Sequence, residues 1–214
     1  MKTNFMIVAL LGSIVFSSGC KQTTSISNDS IEDVFPLKVG DSWTYHLQNW
    51  TDSVTKVVDT TINILIQSQL NVQGHTTYFY TLGDTNHKNS MYYSGTDLFM
   101  GSDSNSSSLS LRYPMSPDEA IVTFDTTNSD GIRQTSKLIF RQSNEPISVP
   151  AGQFSCYHYE ELRMITFQNK TDTVFLSKLY YAKNVGLVLE EDFLNYTGNR
   201  YMSLLEQLLT YVVE

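Results

Sequence analysis

Residues 56–82 read KVVDTTINILIQSQLNVQGHTTYFYTL. Ile62, Ile64 and Ile66 recur at every second position, which places them on one face of an extended chain. Gln73-Gly74 breaks the run with a turn pair, and residues 75–82 return with β-branched and aromatic side chains. Residues 56–72 and 75–82 are therefore the two arms of a hairpin.

The same pattern spreads in both directions. Upstream, residues 43–49 alternate, with Trp43, Tyr45 and Leu47 on one face. Downstream, residues 91–93, 97–101 and 107–113 read as short strands. Asp130-Gly131 is a strong hairpin signal between 121–127 and 133–141. Residues 154–167 and 173–182 flank a polar turn at 168–172, and 186–194 and 200–213 flank Thr197-Gly198-Asn199. The leucines of 204–209 have helical spacing, but the β-like Tyr211-Val212-Val213 follows, so the segment reads as the last strand. The expected fold is all-β: a single domain in which a long antiparallel meander curls into a half-barrel or open barrel. Phe35-Pro36-Leu37 and Tyr113-Pro114-Met115 echo each other, each followed by an acidic turn and a strand. A proline cannot join a ladder and sits well just before one. The echo suggests two similar halves of the sheet.

The N-terminus carries an address. Lys2 supplies a positive charge, residues 5–16 are mostly apolar, and Ser17-Ser18-Gly19 precede Cys20. The apolar run is shorter than the roughly 20 residues a spanning helix needs. A cysteine just after small residues is what a lipoprotein signal requires, although Ser17 stands where such signals commonly have Leu. Residues 1–19 are read as signal peptide, Cys20 as the lipidation site, 20–33 as lipidated cysteine and flexible polar tether, and 34–214 as the β domain. Plain secretion is the alternative. Anchoring makes the membrane a partner through the acyl chains on Cys20. Lys21, in place of an inner-membrane retention Asp, favours the outer membrane; the periplasmic and surface faces remain open.

The net charge of −8 becomes one unit more negative when Lys2 is removed, which argues against nucleic acid as a partner. With Cys20 acylated, only Cys156 remains, so no intramolecular disulfide forms. Its apolar neighbours predict a buried, inert thiol.

Three blocks carry a resemblance. Residues 36–45 read PLKVGDSWTY, residues 150–154 read PAGQF, and residues 180–188 read YYAKNVGLV. Their order resembles a broad group of Gram-negative lipoproteins of unknown function. The resemblance implies a curved antiparallel sheet, similar in outline to the LolA/LolB-type lipoprotein carriers, and implies nothing about activity. In physical terms the blocks look structural: Gly40 and Gly152 enter strands at turns, and Trp43 and Phe154 are core anchors.

Candidate chemistry is sparse. Gly40-Asp41-Ser42 with Asp84 and His87 mimics an esterase block, but the residues lie within a run of strands, and a turn at Gly40-Asp41 explains them. His46, His75, His87 and His158 have no metal-ligand spacing. Glu190-Glu191-Asp192 reads as a solvated strand end rather than a calcium loop. Tyr78 and Tyr80, and Tyr157 and Tyr159, put paired rings on one strand face. They are the candidate ligand-lining residues, although strand propensity alone favours such pairs. The expectation is a non-enzymatic envelope lipoprotein without cofactor or metal, binding an apolar or amphipathic ligand or an envelope protein on a concave face. Alternatives are a surface-exposed glycan- or protein-binding module, and an esterase using Ser42.

Overall fold

The computed structural model describes residues 29–83, 89–101, 107–196 and 199–213. The expected signal peptide, Cys20, most of the tether, and His87 lie outside the described residues. Among the described residues, a short helix α1 (Ile31–Val34) is followed by twelve strands. The first six are β1 (Ser42–Trp50), β2 (Lys56–Val72), β3 (His75–Leu82), β4 (Asn89–Ser94), β5 (Asp97–Gly101) and β6 (Ser108–Arg112). The second six are β7 (Ala120–Thr127), β8 (Arg133–Val149), β9 (Gly152–Phe167), β10 (Lys170–Ala182), β11 (Gly186–Tyr196) and β12 (Asn199–Val212). All belong to one antiparallel sheet, nearly closed into a barrel with one unsealed seam.

The sheet is not one meander in chain order. Its order is β6-β5-β4-β3-β2-β1-β12-β11-β10-β9-β8-β7. Two six-stranded meanders meet where the first strand pairs with the last, Ser42 opposite Val212. The seam falls between β6 and β7, which are consecutive in sequence.

The two halves repeat each other in detail. Lys38 N–H donates to Asp41 Oδ2 at 2.8 Å, and Ser116 N–H donates to Glu119 Oε2 at 2.8 Å. The residue before each acid has positive φ, +102° at Gly40 and +60° at Asp118. Asp41 then bridges to Ile66 of β2, and Glu119 to Phe140 of β8, through backbone hydrogen bonds. Ile66 faces Tyr80 and Phe140 faces Tyr159, and a bulge follows at once in both ladders. Tyr80 and Tyr159 are thus equivalent, as are Tyr78 and Tyr157 two residues before them.

Two boundaries differ from expectation. The expected tether over 20–33 is ordered at its domain end. Ser30 caps α1 in a reciprocal box with Asp33, and Ile31 and Val34 are buried. Tyr157 Oη donates to Asp29 at 2.9 Å, and Lys183 Nζ pairs with the same carboxylate. Polar letters that read as linker are here a helix cap. Strand β8 also runs past Arg141 to Val149 despite Pro146. Its pairing with β7 ends at Ile139, so Pro146 lies on a free edge where no N–H is needed.

Packing concentrates at one end of the barrel. Phe35, just after α1, lies 5.7 Å from the Trp43 ring and 6.0 Å from the Tyr181 ring. Trp43 Nε1–H donates to Val185 O, Tyr45 Oη donates to Leu187 O at 3.0 Å, and Tyr93 Oη donates to Phe35 O. Trp43, Tyr45, Ile66, Met91 and Leu208 are essentially inaccessible to solvent. Each such side chain contributes about 1.5–3 kcal/mol relative to exposure. The aromatic plug and α1 therefore close this end of the barrel by burial, with their polar tips satisfied by carbonyls.

Candidate functional site

The plug does not fill the barrel. A cavity of about 620 Å³ lies within the curl of the sheet, its wall drawn from nine of the twelve strands and from Phe35. Tyr45, Leu179, Tyr181 and Leu187 form its apolar floor against the plug. Ser108, Leu109 and Ser110 of β6 and Thr123 and Phe124 of β7 form its side at the seam. At the plug end the crossover between these strands is pinned, because Tyr159 Oη donates to Arg112 O at 3.0 Å. Phe124, half exposed on β7, stands at the open part of the seam.

Strand register gathers acids on the inward face of the sheet, and two of them, Glu161 and Glu190, line the cavity. Inward residues of neighbouring strands align in rows, since cross-strand partners share a face. One row runs Leu47, Glu206, Glu190, Leu179, Tyr159, Phe140. The next runs Asn49, Leu204, Asp192, Ser177, Glu161, Leu138. Four carboxyl groups thus face inward on β9, β11 and β12, and the basic group beside them is Arg163, 3.9 Å from Glu161 and half exposed.

Burial governs the protonation of these acids. It pushes Glu190 well above the usual carboxyl range, and the charges of Asp192 and Glu206 add to the shift. Burial raises Glu206 to about 7, again with Asp192 contributing. Asp192 is raised by burial against the opposing effect of Ser177 and Glu190, and Glu161 is raised by burial against the pull of Arg163. Ser177 Oγ donates to Glu190 Oε1 at 3.3 Å.

The acidic run at 190–192 is therefore not a solvated strand end. Glu190 and Asp192 share the inward face, and Glu191 takes the other. The signal was present: carboxylates two residues apart in a strand share a face, and Glu206 sits between Leu204 and Leu208 on an apolar stripe.

The four candidate tyrosines line the plug end. Tyr80 and Tyr159 are buried in the core, Tyr78 packs edge-on against Tyr93, and Tyr157 lies against Tyr113. None is among the residues that line the cavity. Ser42 lies in the β1 ladder opposite Val212 and Leu65, and Asp41 is fully buried at its turn. His46 pairs with Asp59 at 2.6 Å, and His158 pairs with Glu145 at 2.8 Å while stacking on Tyr180. Among the described residues, no three His, Cys, Asp or Glu side chains converge to hold a metal ion. Cys156 is buried, and burial pushes its thiol up to about 12, with Glu145 adding to the effect.

A nearly closed single-sheet barrel, plugged at one end and hollow toward an unsealed seam, is the class this geometry defines. The chain matches no protein-family model and no curated protein. Two solved structures resemble it. One is a Bacteroides fragilis NCTC 9343 protein described as exported and as having a YmcC-like fold, with a TM-score of 0.51. The other is a Parabacteroides distasonis ATCC 8503 protein described as a lipoprotein, with a TM-score of 0.50. Each is 15% identical and aligns over 84% of this chain and 98% of its own. At that identity the likeness shows the fold.

Proposed function

We propose that this chain is a lipid-anchored protein of the cell envelope whose barrel holds a small amphipathic molecule. The observation that carries the reading is the cavity, whose volume lies in the range of small-molecule sites, with an apolar floor and a few convergent polar groups. The lipoprotein-type signal ending at Cys20, the three-block resemblance, and the exported and lipoprotein descriptions of the two fold neighbours support the compartment. Binding without turnover is the role that fits. Ser42, the nucleophile candidate, is held within a strand, paired on both sides.

The test is native mass spectrometry of protein purified from its own membranes, followed by solvent extraction. The expected result is a discrete small-molecule adduct, released by solvent. A bare protein mass that stays bare when single-chain amphiphiles are added would sink the ligand reading. Anchoring is tested separately, because Cys20→Ala should move the protein from the membrane fraction to the soluble fraction. Placement in the outer membrane is checked by density-gradient fractionation of the membranes.

A further inference from the structure

We infer that the β7 edge facing the seam is the docking surface for the chain's own tether, residues 22–28, which pairs with it as an added antiparallel strand. The tether itself lies outside the described residues. The edge that receives it and the point from which it departs are both described. This docking does not depend on whether the cavity holds a ligand.

The first observation is the edge. Among the described residues, β7 pairs only with β8, and β6 across the seam pairs only with β5. An unpaired edge offers a row of N–H and C=O groups to an extended chain, and proteins commonly blunt such edges with charge or proline. From Ala120 to Phe124, β7 carries neither, only a bulge in its ladder with β8. The next residue, Asp125, is already held by Arg133, whose Nε donates to it at 2.8 Å. Val122 is 56% exposed and Phe124 50%. This edge is open to pairing and bears two large apolar side chains that an added strand would cover.

The second observation is where the tether departs. Tyr113, the first residue past β6, lies at the plug end of the seam. Its Oη donates to Tyr157 Oη at 3.5 Å, and Tyr157 Oη donates to Asp29 at 2.9 Å. The chain therefore enters the domain at the head of the seam. Direction follows from this. Residues 22–28 run toward Asp29 and the plug end, whereas β7 runs away from that end. The two are antiparallel, the more stable pairing; β6 would give a parallel one. The third observation is length and composition. Residues 22–28 read QTTSISN, without charge, proline or glycine, and Thr23, Thr24 and Ile26 suit a strand. They match residues 120–126 in length, about 23 Å at roughly 3.3 Å per residue. A second copy or a foreign peptide reaches this edge by collision. The tether is joined to the head of the seam and is present at a high effective concentration. Docked there, it covers the mouth of the cavity beside Phe124 and brings Cys20 to the open end of the seam.

The test uses the chain from Cys20 onward carrying Cys20→Ser, so that it bears no acyl group. Amide hydrogen exchange is followed by NMR, which resolves the β7 amides singly; alternate ones face the seam. Two variants are compared with this parent. Ile26→Pro removes an N–H from the middle of the tether, and a chain starting at Asp29 removes the tether altogether. The seam-facing amides of residues 120–126 should exchange about tenfold or more slowly in the parent than in either variant. Unchanged exchange in β9 and thermal melting confirm that both variants fold. Equal exchange in all three chains would overturn the tether as the occupant. Ile26→Pro exchanging as slowly as the parent would overturn pairing through the backbone. Slow exchange in all three that rises on dilution, with a dimer in sedimentation, would overturn the tether and assign the edge to a second copy. Ligand binding in the cavity is read by the separate mass-spectrometric experiment, so the two readings can fail independently.

Discussion

Glu190 on β11 is the register partner of Glu206 on β12, and both carboxyl groups face the inside of the barrel. Like charges directly opposite each other destabilise a sheet. The pair is tolerable because burial keeps both groups toward their protonated forms.

A pH dependence of stability follows. Glu206 has a pKa of about 7 in the folded chain against an ordinary value of 4.5, and Glu190 and Asp192 on β11 and Tyr45 on β1 face it. A carboxyl that holds its proton more tightly when folded stabilises fully below about pH 4.5. That contribution is lost as pH rises through about 7. Glu206→Gln should therefore match the parent near pH 5 and exceed it by about 1–3 kcal/mol near pH 8. Urea unfolding at both values measures this, and an equal difference at the two would refute it.

Trp43 should be the costlier of the two tryptophans to change. Trp43→Phe leaves Val185 O buried without its donor, which costs about 1–3 kcal/mol. Trp50 lies at the far end of β1 with Lys56 Nζ 5.5 Å from its ring, and Trp50→Phe should cost no more than about 1 kcal/mol. Chemical denaturation of the two variants side by side gives the comparison.

Gly186 begins β11 with φ at +94°, and a Cβ there would meet the Phe35 ring at 3.4 Å and Trp43 Nε1 at 3.6 Å. Gly95 has φ at +64° with open space around it. Gly95→Ala should cost about 1–2 kcal/mol from backbone conformation alone. Gly186→Ala should cost more, because φ at +94° lies outside the left-handed region that an L-residue can enter, whereas +64° lies within it. Equal melting temperatures for the two variants would refute this.

Cys156 should be silent in the folded chain. The thiolate is the reactive form, and burial holds this thiol at about 12. Ellman's reagent near pH 8 should react on the order of a hundredfold or more slowly with the native protein than with protein unfolded in urea. Comparable rates would mean that the β8–β9 hairpin opens readily.

What the sequence made legible was local. The alternation at Ile62, Ile64 and Ile66 and the turn signals at Gly74 and Gly131 mark the strands of β2, β3, β7 and β8, because a period of two is written in neighbouring letters. The pairing of Ser42 with Val212 is written nowhere nearby, so the meeting of the two meanders could not be read. The echo around Pro36 and Pro114 was its nearest trace. The end of β8 was hidden by Ser143-Asn144-Glu145-Pro146, which reads as a turn until the free edge is seen. For the cavity, Glu190, Asp192 and Glu206 were visible as residues but not as an inward face, because that depends on which side of the sheet the barrel encloses. The tyrosine pairs were legible as repeated features, but not as part of the plug.

The union of the first strand with the last also sets an order of events. As the chain emerges, β1 to β6 can pair with one another, yet β1 keeps a bare edge until the final strand arrives. Such an edge accepts any compatible strand. Because the two halves are similar hairpin arrays, a neighbouring chain offers a β12 as suitable as the chain's own. The characteristic failure of this architecture is therefore an exchange of halves between two molecules, a swapped dimer in which every ladder is satisfied but by the wrong chain.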